Sequence, residues 1–204
     1  MEPVCEPTTV MRSSMKTIGL AGRAGSGKSA VARELAANSN AVWIDLDRVA
    51  WDTYAPGAEV HEAVVERFGE EILAEDGSID RGELAVRVFV EAGAREALEA
   101  IVHPAVLDRL RRLREAHEKD GVDLLLVEGA LLSTSPHVDR SLFDAILWLE
   151  VPDDVREERL RTAGRLDHAS RGDDIAPDSL AVVVDASGTI DDVLMRVRRE
   201  IDAL

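Results

Sequence analysis

The sequence predicts an α/β fold built on a parallel β-sheet, with helices between the strands. Short apolar runs, without alternation of apolar and polar residues, are typical of parallel strands because these are buried on both faces. Five such runs occur, separated by helical segments, and the first leads into a glycine-rich loop. The chain has 204 residues, 46% of them hydrophobic, so one domain with a full core is expected. The predicted strands are residues 17–21, 41–44, 123–127, 145–149 and 180–184.

The loop after the first strand carries a phosphate-binding pattern. Residues 22–29 read GRAGSGKS and match G-x-x-x-x-G-K-[ST] at every fixed position. Glycines let successive backbone N–H groups converge on phosphate oxygens, and the next helix points its positive end at them. Lys28 would reach the β- and γ-phosphates, and the Ser29 hydroxyl would bind Mg²⁺. The alternative is a glycine-rich turn with an incidental Lys-Ser pair, but the chain has only three lysines and places one here.

The charge balance excludes some classes of partner. With 24 basic and 40 acidic residues the net charge is −16, whereas nucleic acids and anionic membranes require a basic surface. No apolar run approaches the length of a membrane span. Cys5 is the only cysteine, which excludes an intramolecular disulfide and a cysteine zinc site. Residues 1–15 lack the apolar core of a signal peptide, so we expect a flexible extension there and a cytoplasmic protein.

Acidic residues follow two of the predicted strands. Asp45 and Asp47 come after the second strand, and Glu128 and Gly129 come after the third. In an open α/β sheet, ligands bind at the carboxyl ends of the strands. Glu128 has a Walker-B-like position, at which Asp is commoner. A turn or helix cap explains one aspartate of the pair well, but it explains both less well.

The segment between the second and third strands is far longer than a crossover connection requires. Apolar spacing predicts helices at residues 58–68, 81–89, 94–102 and 104–119. Asp80 is a plausible N-cap, and Pro104 would sit in the first turn of the last helix. A helical insertion beside the phosphate edge is a natural acceptor-binding lobe. A helical cover without a ligand is the alternative.

Arginines cluster after the fourth strand. A predicted helix carries Arg156 and Arg159, and Arg165 stands at the start of a polar stretch. Arginines in a flexible segment near a phosphate-binding loop are typical of a lid that clamps the transferring phosphate. We predict this role for Arg159 and Arg165. For Arg156 we prefer pairing with neighbouring acidic residues on a solvated helix face, which is also the alternative for the other two.

Several further motifs follow the phosphate-binding loop in a fixed order. DLD stands at 45–47, APG at 55–57 and DGSIDRGEL at 76–84. VF at 88–89, LEAIVHP at 98–104 and LLLVEGALL at 124–132 come next. In these motifs the chain resembles the dephospho-CoA kinase family over residues 16–204. Adenylate and thymidylate kinases share the loop but not the middle segments, so the resemblance is specific.

The resemblance implies a three-layer P-loop kinase fold with a five-stranded parallel sheet in the order 2-3-1-4-5. One kinase domain would span 16–204 after the flexible extension at 1–15, with a helical CoA-binding region at 55–122 and a short lid at 162–177. The reaction would move the γ-phosphoryl group of ATP to the ribose 3′-hydroxyl of dephospho-CoA. Mg²⁺ would be the cofactor, with Ser29 as its ligand.

The resemblance also implies roles for individual residues. Asp47 matches the family's base, and Arg81 and His103 match residues of the acceptor site. The expected catalytic residues are Asp47, Lys28, Arg159 and Arg165. The expected acceptor contacts are Asp47, Arg81, His103, Glu128 and Gly129. The expected ATP contacts are Gly22, Ala24, Gly25, Ser26, Gly27, Lys28, Ser29, Ala30 and Ala186.

The chain departs from the family pattern near its end. The lid is shorter, and Ala186 stands where family members tend to place Asn, so adenine contacts are expected to use backbone atoms. A related P-loop small-molecule or nucleoside kinase with another acceptor is one alternative. A non-catalytic nucleotide-binding regulator is another, although such a protein does not need Asp47 and Arg81. The expected partners are ATP and dephospho-CoA, with no nucleic acid and no membrane, in a monomer or weak homo-oligomer.

Overall fold

The molecule is organised around one β-sheet, seen in a computed structural model that describes residues 15–129, 132, 138–165 and 176–204. All strand pairs are parallel, and the strand order is β2-β3-β1-β4-β5, which confirms the prediction. The strands are β1 (Lys16–Ala21), β2 (Ala41–Asp45), β3 (Leu124–Glu128), β4 (Ala145–Glu150) and β5 (Val182–Asp185).

Four strands end one residue later than predicted, and each ends on an acidic side chain. These residues are Asp45 of β2, Glu128 of β3, Glu150 of β4 and Asp185 of β5. In the register of the sheet, Glu128 lies beside Asp45 on one side and beside Leu20 of β1 on the other. The phosphate-binding loop leaves β1 at this same edge. The sheet therefore places two acidic strand ends next to the loop.

Seven helices connect the strands in the described parts of the chain. The second of them was not predicted, and the third begins at His61 instead of residue 58. The helices are α1 (Lys28–Ala37), α2 (Leu46–Thr53), α3 (His61–Phe68), α4 (Arg81–Val90), α5 (Ala94–Lys119), α6 (Asp153–Thr162) and α7 (Ile190–Asp202). None of them is long and apolar enough to cross a membrane.

Side-chain caps explain where several helices begin. The Asp80 carboxylate accepts hydrogen bonds from the backbone N–H groups of Gly82 and Glu83 at the start of α4, as predicted. Thr189 and Asp192 form a reciprocal capping box at the start of α7. Local polar chemistry therefore fixes these starting points independently of the core.

The prediction of a helix break before Pro104 was wrong. Helix α5 is continuous over 26 residues with Pro104 inside it. Val102, Val106 and Leu110 keep helical spacing across the proline, and all three are buried. Burial of this apolar stripe offsets the loss of one backbone hydrogen bond, which costs about 3 kcal/mol in a helix interior.

The sheet carries a core on each face because side chains alternate along its strands. One core joins Leu20 and Leu126 of the sheet to the α1 and α7 side chains, Val31 and Val197 among them. The other joins Leu125 and its neighbours to the helices from α2 to α5. The helical region predicted at 55–122 thus packs on one face of the sheet, beside the edge that holds the loop.

Two parts of the predicted organisation fall largely outside the described residues. These are the N-terminal extension, of which residues 1–14 are not described, and the lid, of which residues 166–175 are not described. Met15 was assigned to the extension, but it is buried in the core beside the sheet. The packed part of the chain therefore includes Met15.

Candidate active site

The phosphate-binding loop needs its glycines for steric reasons. Gly22, Gly25 and Gly27 have φ angles of 139°, 83° and 99°, which side chains rarely tolerate. A Cβ atom on Gly22 would also lie 2.7 Å from the Leu149 carbonyl oxygen, and one on Gly25 would lie 2.8 Å from the Arg156 carbonyl oxygen. The loop is thus folded tightly against β4 and α6. Its last glycine, Gly27, caps α1 in a left-handed conformation.

Arg23 links the same loop to the end of β4 and the start of α6 through ion pairs. Its guanidinium forms ion pairs with Asp153 at 2.9 Å and with Glu150 at 3.5 Å, and only 18% of its side chain is exposed. The sequence reasoning missed this residue. Its position inside the motif is unconstrained in the pattern, so the pattern carries no signal for it.

Lys28 lies at the electrostatic centre of the site. Its ammonium donates hydrogen bonds to the carbonyl oxygens of Gly22 at 2.8 Å and Arg23 at 3.1 Å. Burial lowers the pKa of Lys28, and the charges of Glu128 and Asp47 oppose that effect. The Arg165 charge adds to the lowering. The structure therefore brings the predicted residues Asp47, Glu128 and Arg165 within electrostatic range of this ammonium.

Ser29 and Glu128 form a direct pair below the loop. The Ser29 hydroxyl donates a 2.6 Å hydrogen bond to Oε1 of Glu128. Burial raises the pKa of Glu128, while the Ser29 hydrogen bond and the Lys28 charge lower it. Oε2 of Glu128 is buried and has no hydrogen-bond partner of good geometry among the described residues, although the Trp43 N–H is near enough to favour the charged form.

This pair fits a magnesium ion that also binds nucleotide phosphates. A serine hydroxyl and a carboxylate are hard oxygen ligands of the kind that Mg²⁺ prefers. The described residues contain no group of three or more His, Cys, Asp or Glu side chains that could hold a metal alone. An ion at this position would therefore take its remaining ligands from phosphates and water, as Mg²⁺ commonly does.

The two aspartates after β2 have different surroundings. Asp45 caps α2, because its Oδ1 accepts hydrogen bonds from the backbone N–H groups of Asp47 at 3.0 Å and Arg48 at 3.3 Å. The Asp47 carboxylate makes no hydrogen bond to any described residue and is exposed at the cleft. Although the residue is exposed, the protein around its carboxylate partly removes that group from water, and this raises the pKa of Asp47; the charge of Asp45 raises it further, whereas Lys28 lowers it. Asp47 is therefore the aspartate available to a ligand.

Arg159 connects two loops at the site. Its guanidinium donates to the Ser26 carbonyl at 3.2 Å and to the Ala186 carbonyl at 3.0 Å. Ala186 follows β5 and is fully buried, so its methyl group does not reach the cleft. Arg165 is exposed just after α6, and Ala30 is exposed in the first turn of α1. Ala24 and Ser26 lie within the loop, where Ser26 is buried.

The prediction that Arg156 lies on a solvated face was wrong. Its side chain is only 4% exposed, although it does pair with Asp153 at 3.3 Å. The reason is steric, because Arg156 packs against Gly25 of the phosphate-binding loop. Periodicity alone could not show this contact, since it depends on the fold of the loop.

Two of the predicted acceptor residues, Arg81 and His103, lie on helices that pack on the other face of the sheet. Arg81 is the first residue of α4, and its guanidinium lies over the Trp51 ring at 4.1 Å from the ring centroid. His103 is half-buried in α5. Gly129 follows β3, and its N–H donates to the Leu20 carbonyl at 3.1 Å. A Cβ atom on Gly129 would lie 3.2 Å from the Leu46 side chain, so the chain passes closely under α2.

Sequence reasoning missed Trp51 and Tyr54 on this side. Trp51 is 45% exposed in α2, and Tyr54 is buried at the end of that helix. Burial raises the pKa of Tyr54, while the Arg81 charge lowers it and the Asp47 charge raises it. Both residues could have been found only if α2 had been predicted as a helix that starts at the strand end.

Comparisons with known proteins find relatives over most of the chain. The family model for dephospho-CoA kinase matches residues 16–172. Similar proteins named dephospho-CoA kinase include one from Frankia casuarinae, which is 37% identical over 190 residues, covering 90% of this chain and 81% of the relative. Another is from Geobacter sulfurreducens, at 37% identity over 197 residues, covering 90% of this chain and 95% of the relative.

Solved structures share the fold. A crystal structure of a protein from Thermus thermophilus superimposes with a TM-score of 0.72 at 28% identity, covering 94% of this chain and 98% of that one. Dephospho-CoA kinase from Campylobacter jejuni superimposes with a TM-score of 0.61, covering 91% of this chain and 95% of that one. Its identity is only 18%, so this second likeness speaks to the fold alone.

Proposed function

This chain belongs to the dephospho-CoA kinase family, and we propose that it transfers the γ-phosphoryl group of ATP to the ribose 3′-hydroxyl of dephospho-CoA. The observation that carries the proposal is that two carboxylates, Glu128 at the end of β3 and Asp47 in the first turn of α2, lie close enough to the buried Lys28 ammonium for their charges to act on it. A phosphate-binding ammonium, a candidate metal ligand and a candidate acceptor-binding carboxylate then share one cleft. A protein that only binds a nucleotide does not need the acceptor-binding carboxylate, Asp47.

The phosphate-binding loop would hold the donor. Backbone N–H groups of Gly22 to Gly27 and the N-terminus of α1 surround the position where the β- and γ-phosphates would lie. Lys28 would leave its two carbonyl partners for those phosphates and stabilise the charge that develops between them. The adenine would meet the loop after β5 near Ala186 through backbone atoms.

Ser29 and Glu128 would hold Mg²⁺ with the phosphate oxygens. The ion would supply positive charge that neutralises the phosphates and fixes their geometry. The residues of this chain contribute the hydroxyl and carboxylate oxygens, and the buried Oε2 of Glu128 then gains a partner. At this position, where Asp is commoner, the Glu side chain reaches the Ser29 hydroxyl at 2.6 Å.

Asp47 would orient the acceptor. A ribose hydroxyl is a poor nucleophile that must be aligned with the γ-phosphorus, and a carboxylate can accept its hydrogen bond and finally its proton. Phosphoryl transfer through a loose transition state demands positioning above all. Arg81, His103 and Gly129 would complete the acceptor side, with Arg81 facing its phosphates.

The two remaining arginines would act in different ways. Arg165 stands near the start of the lid predicted at 162–177, and its charge already acts on Lys28, so it would contact the transferring phosphate when the lid closes. Arg159 is held by the carbonyl groups of Ser26 and Ala186, and it would keep the donor loop and the adenine loop together. We further propose a cytoplasmic enzyme that acts as a monomer or weak homo-oligomer.

The test is ADP release from Mg-ATP with a panel of acceptors. We expect turnover with dephospho-CoA and little with adenosine, AMP or no acceptor. Preference for a nucleoside would instead support a related small-molecule kinase, and binding of ATP without any transfer would support a regulator. The variant Lys28→Ala should lower kcat about a hundredfold or more, because it removes a transition-state contact. Lys119→Ala, at the exposed end of α5, is the matched control and should be unaffected.

A further inference from the structure

Trp51 and Arg81 form a cation–π pair on the acceptor side of the cleft. The guanidinium carbon of Arg81 lies 4.1 Å from the centroid of the Trp51 ring. Both side chains are exposed, and Trp51 and Phe89 are the two exposed aromatic side chains among the described residues. An exposed tryptophan needs a reason, because its burial elsewhere would be favourable.

Arg81 differs from most other arginines of this acidic protein. Arg23, Arg67 and Arg111, for example, each form an ion pair with a carboxylate at 2.9 Å or less. Within residues 15–129 and the other described stretches, Arg81 forms neither an ion pair nor a hydrogen bond, and the stack on Trp51 is its contact. Stacking uses the face of the guanidinium plane and leaves its N–H edge for a planar or bidentate anion.

The pair lies beside the carboxylate that would orient the acceptor. Asp47 and Trp51 are four residues apart in α2, so they share one face of that helix. The hydroxyl of Tyr54, at the end of α2, is influenced by the charges of both Arg81 and Asp47. The two charges therefore converge on one side of the cleft.

We propose that Trp51 is a positioning residue for the acceptor, acting through Arg81. Its ring holds the guanidinium so that the N–H edge binds the diphosphate of dephospho-CoA while Asp47 binds the ribose hydroxyl. The inference rests on the proposed function and adds a residue to it. Holding a long side chain in place before the ligand arrives reduces the entropy lost on binding, which is how an uncharged ring strengthens an anion site.

The experiment measures both calorimetric affinity and steady-state constants for dephospho-CoA and ATP. Trp51→Leu should weaken dephospho-CoA binding and raise its KM about three- to tenfold, as loss of one cation–π contact predicts. The KM for ATP and kcat should stay close to the wild-type values. Trp51→Phe keeps an aromatic face and should restore most of the affinity. The double variant with Arg81→Ala should bind no more weakly than Arg81→Ala alone.

Two variants on α7, outside the helical region proposed to bind CoA, serve as controls. Met195→Ala removes a large apolar side chain that is 65% exposed, and Arg199→Ala removes an arginine that pairs with Glu200. Neither should change dephospho-CoA affinity.

Three results would overturn the inference while leaving the proposed function intact. They are wild-type affinity in Trp51→Leu, an equal loss of ATP affinity, and additive losses in the double variant. Additive losses would mean that Trp51 contacts the acceptor by itself. A wild-type protein that neither binds nor phosphorylates dephospho-CoA would overturn both the proposed function and this inference.

Discussion

The Ser29 hydroxyl and the Glu128 carboxylate lie 2.6 Å apart, although 99 positions separate them in the sequence. Their contact joins the first turn of α1 to the end of β3, directly under the phosphate-binding loop. It exists because β3 lies beside β1 in the sheet, so that the end of one strand meets the helix that follows the other. The strand order therefore brings together the two residues of the candidate metal site, Ser29 and Glu128.

The first prediction concerns Glu128→Gln. Burial raises the pKa of this carboxyl, so the folded state binds its proton more tightly than the unfolded state does. Wild-type stability should therefore fall as pH rises from the ordinary glutamate value of 4.5 to the raised one. The Gln variant lacks this loss, so its Tm should exceed the wild-type Tm at pH 7, and the difference should shrink as the pH falls toward 4.

The same variant should have a higher Mg²⁺ requirement for activity, because a neutral amide is a weaker ligand than a carboxylate. Glu62→Gln, an exposed change on α3, is the control for both measurements. A wild-type protein more stable than Glu128→Gln at pH 7 would contradict the raised pKa of Glu128, and an unchanged Mg²⁺ requirement would contradict its proposed role as a metal ligand.

The second prediction separates the two aspartates after β2. Asp47→Asn should lose about a hundredfold or more in kcat with dephospho-CoA, because it removes the group that orients and deprotonates the hydroxyl. Its ATP affinity should stay near the wild-type value. Asp45→Asn should be milder, since an Asn side chain can still cap α2. Turnover and calorimetric ATP affinity of both variants decide the matter, and an inactive Asp45→Asn beside an active Asp47→Asn would reverse the assignment.

The third prediction concerns the pH profile of kcat/KM. The pKa of Asp47 is above the ordinary 3.8, because of burial first and of Asp45 second. Activity should therefore decline on the acid side at a pH higher than an ordinary aspartate would give. Asp45→Asn removes the like charge and should move this limb to lower pH. Asp52→Asn, an exposed change in the same helix, should leave the limb in place. An unmoved limb in Asp45→Asn would show that another group titrates there.

The fourth prediction distinguishes the two arginines near the lid. Arg165→Ala should lower kcat at least tenfold, roughly one transition-state contact, with little change in ATP affinity. Arg159→Ala should lower kcat, ATP affinity and Tm, because it removes hydrogen bonds to the carbonyl groups of Ser26 and Ala186. Arg161→Ala is the control, since this exposed arginine of α6 pairs with Glu158. Identical behaviour of Arg159→Ala and Arg165→Ala would contradict the distinction.

The parts of the fold that could be predicted are those encoded locally. The glycines of the loop, the apolar strands and the Asp80 cap depend on neighbours within a few residues, and the structure has them. The strand order is not local, and it came from the resemblance to a family. Helix α2 was missed because it begins directly at the end of β2, with no loop between them to mark a boundary.

The errors arose where packing between distant segments overrides a local signal. Pro104 ordinarily ends or begins a helix, but the buried stripe on both sides of it keeps α5 continuous. Arg156 has a sequence typical of a solvated face, yet the phosphate-binding loop covers it. The pairing of Trp51 with Arg81 depends on how α2 and α4 are placed, and no spacing in the sequence encodes that.

The unbroken α5 makes the acceptor side a single mechanical unit. At 1.5 Å per residue its length is about 39 Å, and α2, α3 and α4 all rest on it. Helix α2, which carries Asp47, and helix α4, which carries Arg81, thus both pack against the same helix, α5. The distance between the Asp47 carboxylate and the Arg81 guanidinium is consequently set by how α2 and α4 pack on α5. A substitution among the residues of that packing contact can therefore change the length of acceptor that fits, without changing any residue that contacts the acceptor.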